Sequence, residues 1–450
     1  MGLSYDAIVV GGGPAGSTAA RELAATGARV LLLDRAAFPR EKPCGGGVNL
    51  RAARLLPFDL SPVVERTIRG VRFSLHLGQG FTRRYPGVLT YMTRRSRLDH
   101  FLVERAVAAG AELREREPVR AIDLDGRVTV RTRGGVYTGA VLVGADGANG
   151  VTAALTGLSG PRELAVALEA NLDLPGGVPA EWHDTLALDL GGIPGGYGWV
   201  FPKGDHLNLG VGGWKYLAGS LRPRLERLAR AYGFPPERLR DLRGYHLPVR
   251  RPGAPIARGR VMLVGDAAGL VDPLSGEGIY AAVLSGHLAA RHALAALDGR
   301  APDLAGYQRE VDRVLGPELR DSGRLQDVFH LMPPAYVAVL RRSDRLWWWL
   351  CRIIRGEETY RTLKRRAGPF GLLIDGLSWA TRHNRLLGRR AGLPAYQITS
   401  GGGVRIGLQA LTLGPPSPPA PLPRAGEGST RCVAASPTSD PPRTRQRERG

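Results

Sequence analysis

The sequence predicts an α/β protein in three parts: a parallel sheet layered with helices, an α+β part built on an antiparallel sheet, and a helical C-terminal region. Three observations predict it. A strand–glycine loop–helix–strand unit opens the chain, Gly-punctuated alternating runs fill 164–212, and a helical, basic and aromatic pattern runs over 301–395.

Residues 5–10 (Tyr-Asp-Ala-Ile-Val-Val) form a nearly unbroken apolar run, as strands of a parallel sheet buried on both faces do. A helix is expected over 14–26 and a second strand from Ala28 to Asp34, which completes a βαβ unit. Over 97–109, Leu98, Phe101, Leu102 and Ala106 recur at helical spacing and share one face. Short strands follow over 111–143, with Val128 and Val130 folding back on Val136 and Tyr137 around Arg133-Gly134-Gly135. Residues 164–212 read as antiparallel strands turning at Gly191-Gly192 and Gly195-Gly196, and 217–231 as a helix. Arg260 to Val264 reads as a buried strand and Gly276 to Leu297 as a long Ala-rich helix. Near Gly414-Pro415-Pro416 the composition changes to a Pro/Arg/Ser-rich tail with too little apolar surface to order itself.

At 450 residues and 43% hydrophobic content the chain can bury a large core. Its formal net charge is +21, carried almost wholly by arginine. A coding bias toward arginine explains that, and so does attraction to phosphates or an anionic membrane surface. No nucleic-acid-binding module is present, so nucleic acid is not expected. Cys44, Cys351 and Cys432 are far apart and form no C-x-x-C pair, which argues against zinc, iron–sulfur and disulfide frameworks and for a reducing cytosol. No secretory signal is expected. The longest apolar candidate, Leu346 to Ile354, contains Arg352 and is too short to span a bilayer.

Gly11, Gly13 and Gly16 fit G-x-G-x-x-G, with Pro14 and Ala15 between them, between a strand and a helix. Gly11 permits the tight turn, Gly13 lets backbone approach a pyrophosphate, and Gly16 lets helix and strand pack closely, the Rossmann-type arrangement. The helix N-terminus offers free N–H groups and partial positive charge. Asp34, at the tip of the second strand with Arg35 after it, can accept hydrogen bonds from ribose hydroxyls. Two further strand ends carry acids beside glycines. These are Gly265-Asp266, leading through Gly276, Glu277, Gly278 and Ile279 into a helix, and Asp146-Gly147. One nicotinamide dinucleotide does not need three strand-end contacts, whereas a longer, two-ended cofactor such as FAD does.

These residues resemble the flavoprotein group of aromatic hydroxylases, halogenases and geranylgeranyl reductases. Arg95 and Asp99 match its R-x-x-x-D element, where the resemblance implies that the arginine reaches the cofactor, and Asp266 matches its ribityl-binding acid. Phe38-Pro39-Arg40-Glu41-Lys42-Pro43-Cys44-Gly45-Gly46-Gly47 resembles the P-x-x-K-x-C-G-G stretch of the geranylgeranyl reductase family, and Tyr197-Gly198-Trp199-Val200-Phe201-Pro202 its Y-x-W-x-F-P motif. The resemblance implies an FAD-binding domain over 1–70, 96–163 and 255–300. It also implies a substrate-binding domain over 71–95 and 164–254, while pattern and composition give a helical region over 301–410 and a disordered tail over 411–450. Cofactor contacts are expected from Cys44, Gly45, Gly46 and Val119 in addition to the residues above.

The expected activity is hydrogenation of isolated C=C bonds in an isoprenoid lipid, by hydride from reduced flavin plus a proton. Cys44 is the candidate for donating that proton or positioning substrate, against a small buried thiol with no chemistry. Tyr197 and Trp199 are candidates for one wall of an apolar tunnel, against plain core packing. An aromatic or polyketide monooxygenase of the same fold and a non-catalytic electron-transfer flavoprotein are the alternatives. A halogenase is disfavoured by the loose motif match and the lack of an evident lysine. NADPH, NADH or ferredoxin remain as donors, the last a redox partner protein. Trp347-Trp348-Trp349, with Arg341, Arg342, Arg352, Arg355 and Lys364-Arg365-Arg366 around it, suits either a peripheral membrane interface on the cytoplasmic side or a basic helical cap.

Overall fold

The computed structural model describes residues 3–397. Along the chain the elements that build the site are β1 (Leu3–Val10), α1 (Pro14–Ala24), β2 (Val30–Leu33), α2 (Arg95–Ala108), β3 (Val136–Gly144), β4 (Arg162–Asp173), β5 (Tyr197–Pro202), β6 (His206–Trp214), β7 (Leu239–Arg250), β8 (Val261–Leu263) and α3 (Ile279–Leu297). Beyond them come α4 (Gly316–Leu331), α5 (Asp344–Ile354), α6 (Tyr360–Arg366), α7 (Pro369–His383) and α8 (Arg385–Arg390).

The first sheet runs Ala257–Arg258, β8, β3, β1, β2, Glu112–Arg114, parallel from β8 onward. Its central strands are Val/Leu/Ile-rich because both faces are buried, and Ile8, Leu31, Leu32, Leu33 and Leu142 are wholly buried. The hairpin read from the sequence is present, with Val130 opposite Tyr137. α1 and α3 pack tightly on this sheet, and a Cβ on Gly286 of α3 would stand 2.5 Å from the Ala15 carbonyl oxygen of α1. That contact is the reason a glycine interrupts an Ala-rich helix.

The second sheet runs β7, β4, β6, β5, Thr185–Leu190, Gly70–Leu75, Phe81–Arg84. All pairs are antiparallel except Thr185–Leu190 with Gly70–Leu75. Central β6 is buried along its whole length. A small third sheet pairs Gly47–Asn49 and Arg66–Ile68 with Thr90–Met92.

Two sequence expectations are corrected here. The helix expected from Gly276 starts at Ile279, because Gly276 has φ +67° and closes a turn through its N–H on the Asp272 carbonyl. Strand β7 was not expected. It is a charge-rich edge strand (Leu-Arg-Asp-Leu-Arg-Gly) whose outward residues hide the alternation. The tail assigned to 411–450, and Cys432 in it, lie outside the described residues.

Candidate functional site

The two larger sheets meet around one cavity of about 780 Å³, in the upper part of the range for cofactor and ligand sites. Every sequence-predicted site residue but Gly16 lines it. Gly16 works from behind, since a Cβ there would lie inside the contact radius of the Gly11 carbonyl oxygen, so α1 and the end of β1 approach only through glycine. Gly11 has φ +107° and packs against the Ala145 carbonyl at the end of β3.

The N-terminus of α1 is an anion cradle. Gly13 is its N-cap, with no capping side chain and no acid in the first turn. A Cβ on Gly13 would find only the guanidinium nitrogens of Arg40 at 3.8 Å and Arg95 at 3.9 Å. Unsatisfied N–H groups and two guanidiniums therefore face one space, which fits a pyrophosphate. Arg95 is held by a bidentate pair to Asp99 at 2.7 and 2.8 Å, and Arg40 reaches the same carboxylate at 3.0 Å. Burial disfavours the Arg95 charge, but Asp99 more than offsets that and raises its pKa. Asp34 accepts the Gly12 N–H at 2.8 Å and the Ala36 N–H at 2.9 Å, which fixes its carboxylate at the cavity wall.

Asp266, just after β8, lines the same cavity and pairs with Lys42 Nζ at 3.0 Å. Lys42 also lies 4.4 Å from the centre of the Tyr245 ring. Asp146 divides its work. Oδ2 accepts from the Val151 and Thr152 N–H groups, whereas Oδ1 has no hydrogen-bond partner among the described residues. Glu277, before α3, bonds Arg51 through Oε2 and leaves buried Oε1 without a partner among the described residues. Orphaned carboxylate oxygens and uncapped helix N-termini around one cavity fit the hydroxyls, phosphates and polar ring edge of FAD.

Cys44 occupies a bend clamped by three groups from elsewhere in the chain. Its N–H donates to Glu169 of β4 at 2.7 Å. Lys203, just past β5, donates from Nζ to the Gly45 carbonyl at 2.5 Å and to the Thr93 carbonyl at 3.0 Å. Thr93 N–H donates to the Gly46 carbonyl, and Gly46 at φ +67° packs onto the Thr93 backbone. The Cys44 sulfur accepts the Gly46 N–H at 3.4 Å. Burial lowers the Lys203 pKa to about 8 and raises that of Glu169. Sequence reading missed Glu169, Lys203, Arg40 and Tyr245. Arg40 lies inside one recognised motif and Lys203 directly follows another, and those were the available signals.

Beside the bend, Tyr197, Trp199 and Phe201 form an aromatic row on β5, with successive ring centroids 6.1 Å apart. Trp199 lies flat on Gly210 of β6 and donates Nε1–H to Asn208 at 2.9 Å. The Tyr197 hydroxyl donates to the Ser275 carbonyl at 2.5 Å and ties β5 to the turn before α3. Past this row the cavity wall becomes apolar, with Ile68, Val71, Leu89, Leu186, Leu188 and Ile354.

The tryptophan triplet does not act as one surface. Trp347 is in the core and donates to the Arg84 carbonyl, Trp348 is exposed, and Trp349 lies under Arg352 and Arg366. Among the described residues no helix is long and apolar enough to cross a membrane, and no side-chain cluster could hold a metal ion.

The FAD binding domain family matches residues 4–176. The chain is 36% identical to geranylgeranyl diphosphate reductase of Rhodobacter capsulatus over 335 residues, covering 68% of this chain and 81% of that protein. It is 30% identical to digeranylgeranylglycerophospholipid reductase 2 of Methanopyrus kandleri over 396 residues, covering 81% and 96%. A geranylgeranyl bacteriochlorophyll reductase-like protein from Thermoplasma acidophilum has the same fold, with TM-score 0.64 at 24% identity over 72% of this chain and 86% of that one. A flavin-dependent brominase also superposes, with TM-score 0.63 at 20% identity over 79% and 94%. Three strand ends built around an anion cradle, a clamped Cys-Gly-Gly bend, and these two relatives together make the chain an FAD-dependent oxidoreductase of the geranylgeranyl reductase family.

Proposed function

We propose that the protein hydrogenates isolated C=C bonds of an isoprenoid chain carried by a lipid or lipid precursor. The observation that carries this is the junction at Cys44, where the cofactor half of the cavity meets a wall of Trp199, Phe201 and aliphatic side chains. An isolated alkene is not electrophilic, so reduction needs a proton for one carbon as well as a hydride for the other. When bound, reduced FAD supplies that hydride.

The chain's own residues do the rest. The Gly11–Gly16 loop, Arg40 and Arg95 hold the pyrophosphate, Asp34 the ribose and Asp266 the ribityl chain. The N-terminus of α3, which lines the same cavity, would offer its N–H groups to the polar edge of the ring. The aliphatic arm strips water from the prenyl chain and lays it along the aromatic row. Cys44 carries the proton on Sγ toward the carbon that does not receive the hydride. Glu169 and Lys203 are positioning residues that fix the backbone on either side of Cys44 and so aim the thiol. The relatives' printed substrates, a geranylgeranyl diphosphate and a digeranylgeranylglycerophospholipid, support a prenyl lipid.

The test is anaerobic. Photoreduced protein is mixed with a panel of geranylgeranyl-bearing lipids and diphosphates and the products are weighed by mass spectrometry. The expected result is a gain of two hydrogens per reduced bond with flavin reoxidation. Oxygen-dependent product, or no mass gain with any prenyl substrate, overturns the reading. The same assay run with NADPH, NADH or reduced ferredoxin in place of light identifies the donor.

A further inference from the structure

We propose that the outer face of α7, with α8, is a docking surface for an anionic lipid bilayer. This goes beyond the reaction proposed above and does not rest on it.

Helix α7 is amphipathic in the inverted sense. Its fully buried residues are small or polar. Gly371, Ser378 and Thr381 are buried against α4 and its surroundings, and Ser378 donates to Asp327 of α4 at 2.7 Å. Its outward face is large and apolar. Leu372, Leu373 and Trp379 point away from those residues and are between 54% and 75% exposed, while Phe370 at the start of the helix and Leu386 on α8 are 71% and 77% exposed. Surface helices of soluble domains show the opposite arrangement. Exposed apolar side chains are ordinary when scattered, but Leu372, Leu373 and Trp379 share the exposed side of one helix, the kind of clustering that marks an interaction site.

The charge around the patch selects the occupant. From Tyr360 to Arg390 there are eight basic residues and one acid, Asp375, which Lys364 and Arg324 already pair. Arg361, Arg365, Arg366, Arg385, Arg389 and Arg390 are all exposed. Trp379 stacks on His383 with centroids 4.5 Å apart, an amphipathic pair suited to headgroup depth. Apolar residues that insert shallowly, flanked by arginines, match an anionic phospholipid surface. A second copy would bring an identical arginine rim against this one. Residues 398–450 carry seven arginines against three acids, so they too share its sign. Helix α7 packs on α4, whose Gln326 donates to the Pro273 carbonyl at 2.8 Å in the cavity wall, so a single helix separates the docked face from the cavity.

The experiment uses the full chain loaded with FAD and vesicles of phosphatidylcholine with or without phosphatidylglycerol. Wild type is expected to co-sediment with the anionic vesicles, less so at high salt and far less with pure phosphatidylcholine. Leu372→Asp with Trp379→Asp should weaken binding about tenfold or more, and Arg385→Glu with Arg389→Glu should remove the preference for anionic lipid. All four positions are exposed, so flavin content and circular dichroism should be unchanged. Trp379 emission should be quenched by brominated lipid in wild type, and Trp379→Phe should remove that component. Failure of wild type to bind, or equal binding by the Asp variant, overturns the proposal. So does a wild-type dimer that the same substitutions dissociate, since the face would then join two copies. Loss of vesicle binding with intact turnover of detergent-dispersed substrate separates this result from failure of the prenyl-reductase reading.

Discussion

The two walls of the cavity are built by different means. On the cofactor side the wall is main chain, and the end of β1, the start of α1 and the end of β3 approach so closely that Gly11 and Gly16 admit no side chain. On the substrate side the wall is side chains: Tyr197, Trp199 and Phe201 on β5, and Glu169 and Lys203 reaching across to the Cys44 bend. A backbone wall tolerates one residue type at each contact. A side-chain wall can be retuned, because each residue in it meets its neighbours through rotatable bonds.

The contrast can be broken most directly at Gly16. Gly16→Ala forces α1 away from β1, and the expected outcome is colourless protein with folding weakened by about 3 kcal/mol or more. Flavin absorbance after dialysis and denaturant titration measure it, and a yellow, stable variant would show that the main-chain wall yields after all. Next in size is Cys44→Ala, expected to keep FAD and lower single-turnover reduction roughly 100-fold. Unaltered turnover would remove Cys44 from the proton step.

Glu169 sharpens the comparison further. Glu169→Ala frees the Cys44 N–H and should slow reduction about tenfold, whereas Glu169→Gln, which keeps an acceptor there, should restore most of the rate. If Gln is as poor as Ala, the group acts through its proton and not through position.

The smallest effect on turnover belongs to Lys203→Met, whose signature is in pH. The buried Lys203 has its pKa lowered to about 8, so the unfolded chain binds that proton more tightly. The penalty is full below pH 8 and disappears as pH rises toward the ordinary lysine value. Wild type should therefore gain up to about 3 kcal/mol of unfolding free energy relative to Lys203→Met across that interval. Parallel pH profiles for the two proteins would refute the assignment.

The same contrast explains what could be read from the sequence. The glycine loop, Asp34 and Asp266 were legible because main-chain geometry fixes residue type at short spacing, and the Cys-Gly-Gly bend through its resemblance to a family motif. Gly286 was not, because the carbonyl it must clear belongs to another helix. Glu169 and Lys203 were also hidden, since 125 and 158 residues separate them from Cys44 and Gly45 and only sheet register unites them. The tryptophan triplet suited either an interfacial patch or a basic helical cap. Consecutive helical residues point about 100° apart, so one of the three had to face inward. The apolar face of α7 went unremarked because Leu, Phe and Trp at helical spacing read first as core.

The clamp on the Cys44 bend has a consequence for redesign. Both groups that clamp the bend travel with the second sheet, which also carries the aromatic row. Under the proposed function, transplanting that sheet from a relative would thus exchange the aim of the thiol together with the specificity, and a chimera that swaps one without the other should inherit neither.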